Sequence, residues 1–433
     1  MIIMKFGGTS VGNASQIKKV HDIVSSQRSR NPLVVVSALS GITHHLTDLC
    51  SGMTDYNIAE FQERHLTVLH ELGLSKDLLN EEFQELTQLL QGIHLLQECS
   101  LRTKDRILSF GERCSAKIIG NYFTSSLYVP SYDLGLKTNS NFGHATPLKE
   151  SYQDIQKAVL SYKDKIIVTT GFIAKDPEGN ITTLGRGGSD YSASLFGAAL
   201  HATEIQIWTD VSGIMTTDPR MVPDAKPIRE MSFEEASELA YYGAKVIHPA
   251  TMLPAMEKNI PVRILNTNDP SHPGTTVYKH TPKTQGTVKA IAHRNGLIVI
   301  NITSTRMLDQ YGFLARIFEI FSRHKTSVDM VSTSEVSVSL TIDNEQHLSS
   351  IVSELETFSE VSVEKHQSIM SVVGEGLRQD HTVPARIFSI LSQHEIPVRM
   401  VSLGASKINL SFLLKESQTK NALTVLHKEF FQC

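Results

Sequence analysis

Four cysteines in 433 residues, at positions 50, 99, 114 and 433, make no Cys-x-x-Cys pair. That spacing excludes a zinc ribbon or a disulfide framework and reads as reduced thiols in a cytoplasm. The eighteen histidines have no metal-ligand spacing either; only His44-His45 hints at one, and the reading assigns no metal to protein ligands. Long apolar runs are missing: stretches such as Leu33–Val36 are far too short to span a bilayer. Met1–Phe6 passes directly into a strand-like run without a charged-then-apolar leader, so the expectation is a soluble, cytoplasmic chain with no membrane partner. A basic block is also absent, and a formal net charge of −4 argues against nucleic acid as the main partner. Neither Gly-x-x-x-x-Gly-Lys-Ser/Thr nor a complete Gly-x-Gly-x-x-Gly occurs, which removes the commonest nucleotide fingerprints. The length suits two or three domains with full-sized cores.

What is present centres on Thr182–Ala193. Gly185, Gly187 and Gly188 let the backbone turn where a side chain would forbid it and bring its amides close to a ligand. Ser189 and Asp190 can cap a following helix with Leu195, Phe196, Ala199 and Leu200 on its apolar positions, and a helix N-terminus favours an anion. Arg186 stands among the glycines, where its guanidinium can grip a carboxylate bidentately. The bland reading of the stretch is a flexible loop with a solvated arginine.

Taken in order, Ile2–Phe6 reads as a buried strand followed by Gly7-Gly8-Thr9-Ser10 and a helix carrying Ile17, Val20 and Val24. Lys5 is either a solvated strand end or a cation aimed at the crevice where open α/β sheets bind ligands; its place before two glycines favours the second. Leu33–Ser37 is a second strand, with a hydroxyl-rich turn through Thr43 after it. Residues 58–98 are helical and amphipathic, and Arg106–Phe123 is another helix. There the spacing reads Glu112 as a surface carboxylate paired with Arg113 or Lys117. Lys165–Thr170, a hairpin over 171–184, Glu204–Trp208 and Pro261–Leu265 complete the strands, and Asn266–Gly274 reads as a domain boundary. Glu204–Trp208 runs into Thr209-Asp210 and then Asp218-Pro219-Arg220, polar groups at the mouth of a sheet.

Beyond residue 280 lies a repeat. Ala315-Arg316-Ile317-Phe318 recurs as Ala385-Arg386-Ile387-Phe388, and Val328-Asp329-Met330-Val331-Ser332 as Val398-Arg399-Met400-Val401-Ser402, both 70 residues apart. Each copy reads strand, helix, strand, strand, helix. The first closes with a strand near Val361–Val363, whereas the second ends in a helix, so Val288–Ala292 is expected to supply its missing strand.

Lys5-Phe6-Gly7-Gly8-Thr9-Ser10, the Thr183–Asp190 loop, Thr209-Asp210 with Thr217-Asp218-Pro219-Arg220, Gly243-Ala244-Lys245-Val246 and Thr333-Ser334-Glu335-Val336-Ser337 together resemble the aspartate kinases. The likeness covers nearly the whole chain and is closest to the lysine-inhibited, single-function branch. It implies an α/β fold: an open, mostly parallel-sheet αβα sandwich of the amino-acid kinase type over 1–280, with a helical insert at about 57–99, then two ferredoxin-like ACT domains. The first ACT domain, 296–366, would be inserted into the second, 285–295 plus 367–433. It further implies ATP- and magnesium-dependent phosphorylation of the L-aspartate side chain to 4-phospho-L-aspartate, entering lysine, threonine, methionine and diaminopimelate synthesis. Feedback by L-lysine through the first ACT domain and a homodimer through the ACT domains, or a larger assembly, are implied as well.

By the same resemblance Lys5 and Asp190 are catalytic, and Lys5, Phe6, Gly7, Gly8, Thr209, Asp210, Met215, Arg220, Lys245 and Val246 hold ATP. Thr43, Glu112, Arg186, Gly187, Gly188 and Ser189 hold aspartate, which reverses the surface reading of Glu112. Met307, Gly312, Phe313, Leu314, Val328, Asp329, Ser334 and Glu335 hold the effector; Asp329 suits lysine's ammonium, while Arg399 at the matching place in the second copy would repel it. Magnesium would ride on the phosphates. Two positions depart from the pattern: Met215, where an aromatic residue is common, and Gln310, where a small hydroxyl residue is common. Kinases of glutamate, N-acetylglutamate or nucleoside monophosphates would lack this arginine loop with two repeats. A catalytically silent amino-acid sensor would not need Lys5, Arg186, Asp190 and Asp210.

Overall fold

A computed structural model describes residues 1–51, 57–162, 165–243, 248–280, 287–304, 311–403 and 408–432. The chain divides into two compact units: Met1–Ile214 with Pro227–Ala236 and Val246–Pro282, and Met215–Lys226 with Ser237–Lys245 and Lys283–Cys433.

The first unit holds β1 (Ile2–Phe6), β2 (Pro32–Val36), β3 (Ser126–Tyr128), β4 (Ile166–Thr170), β5 (Ile173–Lys175), β6 (Ile181–Thr183), β7 (Glu204–Thr209), β8 (Glu230–Ser232), β9 (Val262–Asn266) and β10 (Thr275–Tyr278). Eight of these form one sheet in the order β3-β4-β2-β1-β7-β9-β10-β8. Every neighbouring pair is parallel except β9 with β10. β1, β2 and β4 are buried along their whole length, as strands covered on both faces must be. Ile2, Met4 and Phe6 join a core with the helices Ala14–Ser26 and Leu101–Tyr122. Ile3 faces the other way: a Cβ on Gly197, in the helix Gly188–Ala199, would stand 3.7 Å from its Cγ1. The result is the three-layer αβα sandwich. β5 and β6 form the hairpin expected between Gly171 and Leu184. The amphipathic text of 58–98 folds into the helices Ala59–Glu71 and Asn80–Leu96, whose Phe61, Leu69 and Leu86 join the same core.

The second unit is built on one six-stranded antiparallel sheet. Its strands are β11 (Ala290–Thr303), β12 (Val331–Thr333), β13 (Ser337–Ile342), β14 (Glu360–Val373), β15 (Met400–Leu403) and β16 (Asn409–Lys415), in the order β12-β13-β11-β14-β16-β15. β11 and β14 are long because each serves both copies of the repeat. Ala290–Arg294 pair with Ile369–Val373, and Leu297–Thr303 with Glu360–Gln367, with register shifts between Arg294 and Val299. Val288 and Ile291 pack among the helices Thr382–Gln393 and Thr419–Phe431 of the second copy, while Ile298, Ile300 and Ile302 pack with Phe313–Arg323 and Leu348–Leu355 of the first. The segment Met215–Lys226 is tied into this unit by Thr216, whose carbonyl accepts from Ile291 N at 2.8 Å and whose hydroxyl meets His427 Nε2 at 2.9 Å.

Among the described residues no helix is long and apolar enough to cross a membrane. The close fit of helix Leu101–Tyr122 on β3 gives a stability test. Glycine to alanine in a helix ordinarily stabilises by about 1 kcal/mol. A Cβ on Gly120 would instead lie 2.7 Å from Tyr128 Cβ and 3.0 Å from its backbone N. Gly120→Ala is expected to lower stability by about 1–3 kcal/mol in urea unfolding, the overpacking range; an unchanged or raised midpoint would contradict this packing.

Candidate active site

Parallel strands send their C-terminal ends to one edge of the sheet, and here that edge opens into a cleft of about 870 Å³. The main chain continues beyond the strands: Gly7 N donates to Trp208 O at 3.1 Å, Ser37 N to Phe6 O at 3.1 Å and Gly171 N to Val36 O at 2.9 Å. Lys5 from β1 with Gly7 and Gly8 just after it, Thr43 from the first turn of the helix Ile42–Ser51, Glu112, Gly185–Asp190, and Thr209 at the end of β7 with Asp210 after it all line it. Phe6 does not line it; it lies beneath, stacked on Trp208 with ring centroids 5.9 Å apart.

Lys5 Nζ lies 2.6 Å from Asp190 Oδ1, an ion pair with both side chains largely out of solvent. The strand-end lysine is therefore the cleft-facing cation and not a solvated terminus. Asp190 reaches it because the helix Gly188–Ala199 starts one turn earlier than the capping pattern suggested. Its N-cap is Gly187, left-handed at φ 71°, so Ser189 and Asp190 sit inside the first turn and cap nothing. That turn is pressed tightly into the fold: a Cβ on Gly188 would stand 2.6 Å from the Phe172 ring. This helix N-terminus meets the cleft, as do the starts of the helices Ile42–Ser51 and Leu101–Tyr122. The helix after Gly7-Gly8 begins only at Ala14, capped by Asn13, with a single 3₁₀ turn at Gly8–Ser10 between. The exposed Arg186 guanidinium has no ion-pair partner among the described residues and lines the same cleft.

Glu112 is buried, not paired at the surface. Arg113 bonds Glu85 and Lys117 bonds Glu82, both on the helix Asn80–Leu96, leaving Glu112 to the cleft. A Cβ on Gly111 would stand 2.7 Å from Ala38 Cβ, so the glycine that weakens the helix is what lets it approach the turn after β2. Ala38 N then donates to Glu112 Oε1 at 3.1 Å, while Oε2 is buried without a hydrogen-bond partner among the described residues. Burial pushes this carboxyl up to about 8, opposed by the Ala38 amide and the charge of Lys5. A neutral acid with one unsatisfied oxygen is ready to receive a cation.

Lys104, Asp105, Phe142, Gly143 and His144 also line the cleft. Pattern reading did not single them out, although Asp105 precedes Glu112 by two helical turns on the same buried face. Met215 and Arg220 belong to the second unit, where Arg220 is exposed and forks onto Asp218 (Nη2 to Oδ2, 2.7 Å). Lys245 and Val246 lie outside the described residues, as do Met307 and Gln310.

In the second unit, Gly312 is left-handed at φ 82° and opens the helix Phe313–Arg323, with Phe313 buried and Leu314 exposed. Asp329 is not an open carboxylate: Oδ1 accepts from Tyr241 Oη at 2.8 Å and from Arg294 Nη1 at 3.3 Å, leaving Oδ2 buried and without a hydrogen-bond partner among the described residues. Arg399 likewise pairs with Glu364. The contrast in sign between the two copies is real, but both charges are matched inside the second unit. Val328 is half-buried, and Ser334, exposed beside Glu335, bonds the Ser337 hydroxyl at 2.7 Å.

Residues 1–266 match the amino acid kinase family, and residues 300–351 and 370–430 match an ACT domain. The chain is 36% identical to aspartokinase 3, chloroplastic, of Arabidopsis thaliana, over 99% of its own length and 81% of the relative's. It is 35% identical to the lysine-sensitive aspartokinase 3 of Escherichia coli, covering 100% of the chain and 99% of the relative. Among solved structures, E. coli aspartokinase III in complex with lysine and aspartate superposes with a TM-score of 0.81 at 35% identity, over 100% of this chain and 99% of that one. Its complex with aspartate and ADP gives 0.79 at 34% identity, over 100% of both chains.

The buried acid predicts a pH dependence of stability. Below the ordinary carboxylate range, folded and unfolded chains both hold the Glu112 proton. As pH rises towards about 8 the unfolded chain ionises while the folded chain keeps its proton, so stability is lost through that window. Glu112→Gln is expected to remove the loss, its urea midpoint gaining on the wild type as pH rises; parallel curves for the two proteins would refute the shift.

Proposed function

We propose, because this chain belongs to the aspartokinases of the amino acid kinase family, that its cleft transfers the terminal phosphoryl group of ATP to the side-chain carboxylate of L-aspartate. The observation that carries the reading is the meeting, in one cleft, of a buried carboxyl at Glu112 and a guanidinium at Arg186, the Oε2 of the first without a hydrogen-bond partner and the second without an ion-pair partner among the described residues. An α-amino acid offers the matching ammonium and carboxylate.

A free carboxylate has a pKa of about 3.9, so the nucleophile arrives ionised and no general base is required. A carboxylate oxygen forms the new bond to phosphorus as the bond to the bridging oxygen of ADP breaks, giving 4-phospho-L-aspartate and ADP. The chain's task is to hold two anions in line and offset the charge between them. Lys5, with the amides of Gly7 and Gly8, stabilises the transferring group, and Asp190 keeps the ammonium directed at it. Arg186 grips a substrate carboxylate, the amides of Gly187, Gly188 and Ser189 add the positive end of their helix, and Thr43 closes the polar end. Thr209, Asp210, Met215, Arg220, Lys245 and Val246 serve the nucleotide. The carboxylate oxygens of Asp190 and Asp210 at the cleft wall suit a hydrated magnesium carried on the phosphates, which when bound spreads their charge.

We read the domains as 1–280, an inserted ACT domain at 296–366, and a second ACT domain from 285–295 with 367–433. Lysine is the proposed effector: the Oδ2 of Asp329 in the first ACT domain, buried and without a hydrogen-bond partner among the described residues, supports a cationic amino acid. A homodimer through the ACT domains and a place at the entry to lysine, threonine, methionine and diaminopimelate synthesis complete the reading.

ATP- and magnesium-dependent aspartyl hydroxamate formation tests it. Lys5→Ala is expected to lower the rate by about 100- to 1,000-fold, the usual effect of removing one transition-state partner. Saturating lysine is expected to inhibit the wild type. Absence of hydroxamate would sink the kinase reading; activity indifferent to lysine would discard the effector and leave the kinase standing.

A further inference from the structure

Asp105 is a buried carboxylate at the cleft wall for which phosphoryl transfer, as set out, has no use. Its hydrogen bonds go to two segments remote in sequence. Oδ2 accepts from Thr183 N at 2.8 Å and from Gly143 N at 2.9 Å, and Oδ1 accepts from the Thr183 hydroxyl at 2.8 Å. Thr183 O in turn accepts from Ala145 N at 2.9 Å, which stitches the two segments to each other. Thr183 is the last residue of β6, three before Arg186. The loop between them lies against the other stitched segment: a Cβ on Gly185 would stand 2.5 Å from His144 Nδ1 and 3.2 Å from Gly143 O.

An ionised carboxylate accepts several hydrogen bonds and donates none, so it alone among short side chains suits three converging donors. Asparagine would turn an NH₂ towards one of them. Burial is expensive for a carboxylate, and the three donors offset only part of it, since the group remains above its ordinary range. A residue needed only for packing could be apolar at less expense. The feature that Asp105 secures is the base of the arginine loop.

We propose that Asp105 is a positioning residue for aspartate recognition, clamping Thr183 and Gly143 so that the loop between them presents the Arg186 guanidinium to the substrate. The inference rests on the reading of this cleft as an aspartate kinase site. It implies that loss of the clamp weakens capture of aspartate and leaves that of ATP unchanged.

The test is steady-state hydroxamate kinetics on the full-length protein. For Asp105→Asn the KM for aspartate should rise about 10- to 100-fold, as expected for lost hydrogen bonds to a charged group, with the KM for ATP within about twofold of wild type. Thr183→Val removes only the hydroxyl bond and keeps the shape, so it should raise the KM for aspartate by about 3- to 10-fold even if the asparagine variant fails to fold. The double variant should resemble Asp105→Asn alone, because both act on one interaction. A merely structural role would lower the melting temperature and the active fraction without this split. Equal rises in both KM values, or an unchanged KM for aspartate in Thr183→Val, would overturn the proposal while leaving an active wild type and the kinase reading intact. A wild type inactive on aspartate would overturn both.

Discussion

Like charges repel, and a carboxylate cannot meet the terminal phosphate of a nucleotide unless cations are fixed between them beforehand. At about 4 Å two unit charges interact by roughly 1 kcal/mol in water and about 4 kcal/mol near a protein surface, so a cation held in a partly desolvated cleft is worth several times one in solution. In the proposed reaction the Lys5–Asp190 pair is the fixed cation that would meet that demand. Lys5 is placed by a central strand buried along its whole length, and Asp190 by a helix that starts early because Gly187 is left-handed. Each partner thus owes its position to a different layer of the sandwich. Disturbing either layer disturbs the pair.

Glu112 is the complement of that arrangement. An anion left permanently in the cleft would cancel part of what Lys5 and Arg186 provide, yet an amino-acid substrate brings an ammonium that needs one. A carboxyl raised to about 8 by burial would resolve the conflict in the proposed reaction, neutral in the empty cleft and ionising when an ammonium reaches its second oxygen. Gly111 makes this possible, since a side chain there would hold the helix away from Ala38.

Much of this was legible beforehand, for reasons that differ by element. Buried parallel strands announce themselves as continuous apolar runs, so β1, β2, β4, β7 and β9 could be placed within a residue or two. Burial of Glu112 could not be read from spacing, because the bases beside it look like its partners. They are claimed instead by Glu82 and Glu85 from another helix, a tertiary fact. Asp105 escaped notice for the same reason: its bonds reach 38 and 78 residues along the chain. Asp190 was found but given a capping geometry it does not have, since capping statistics favour serine and aspartate over a left-handed glycine. In the second unit the repeat showed which residues correspond, but not that Arg294 and Tyr241 already engage Asp329.

The claim that Glu112 is a neutral acid awaiting an ammonium can be measured without following the reaction. Calorimetric titration of aspartate into the wild-type protein at pH 7, in buffers of different ionisation enthalpy, counts the protons exchanged on binding. Burial that lifts the carboxyl to about 8 predicts release of nearly one proton per aspartate bound, diminishing as the pH passes that value. Binding heats that do not depend on the buffer at pH 7 would mean that Glu112 keeps the same charge in the empty and the occupied cleft, and the account of its role would fall.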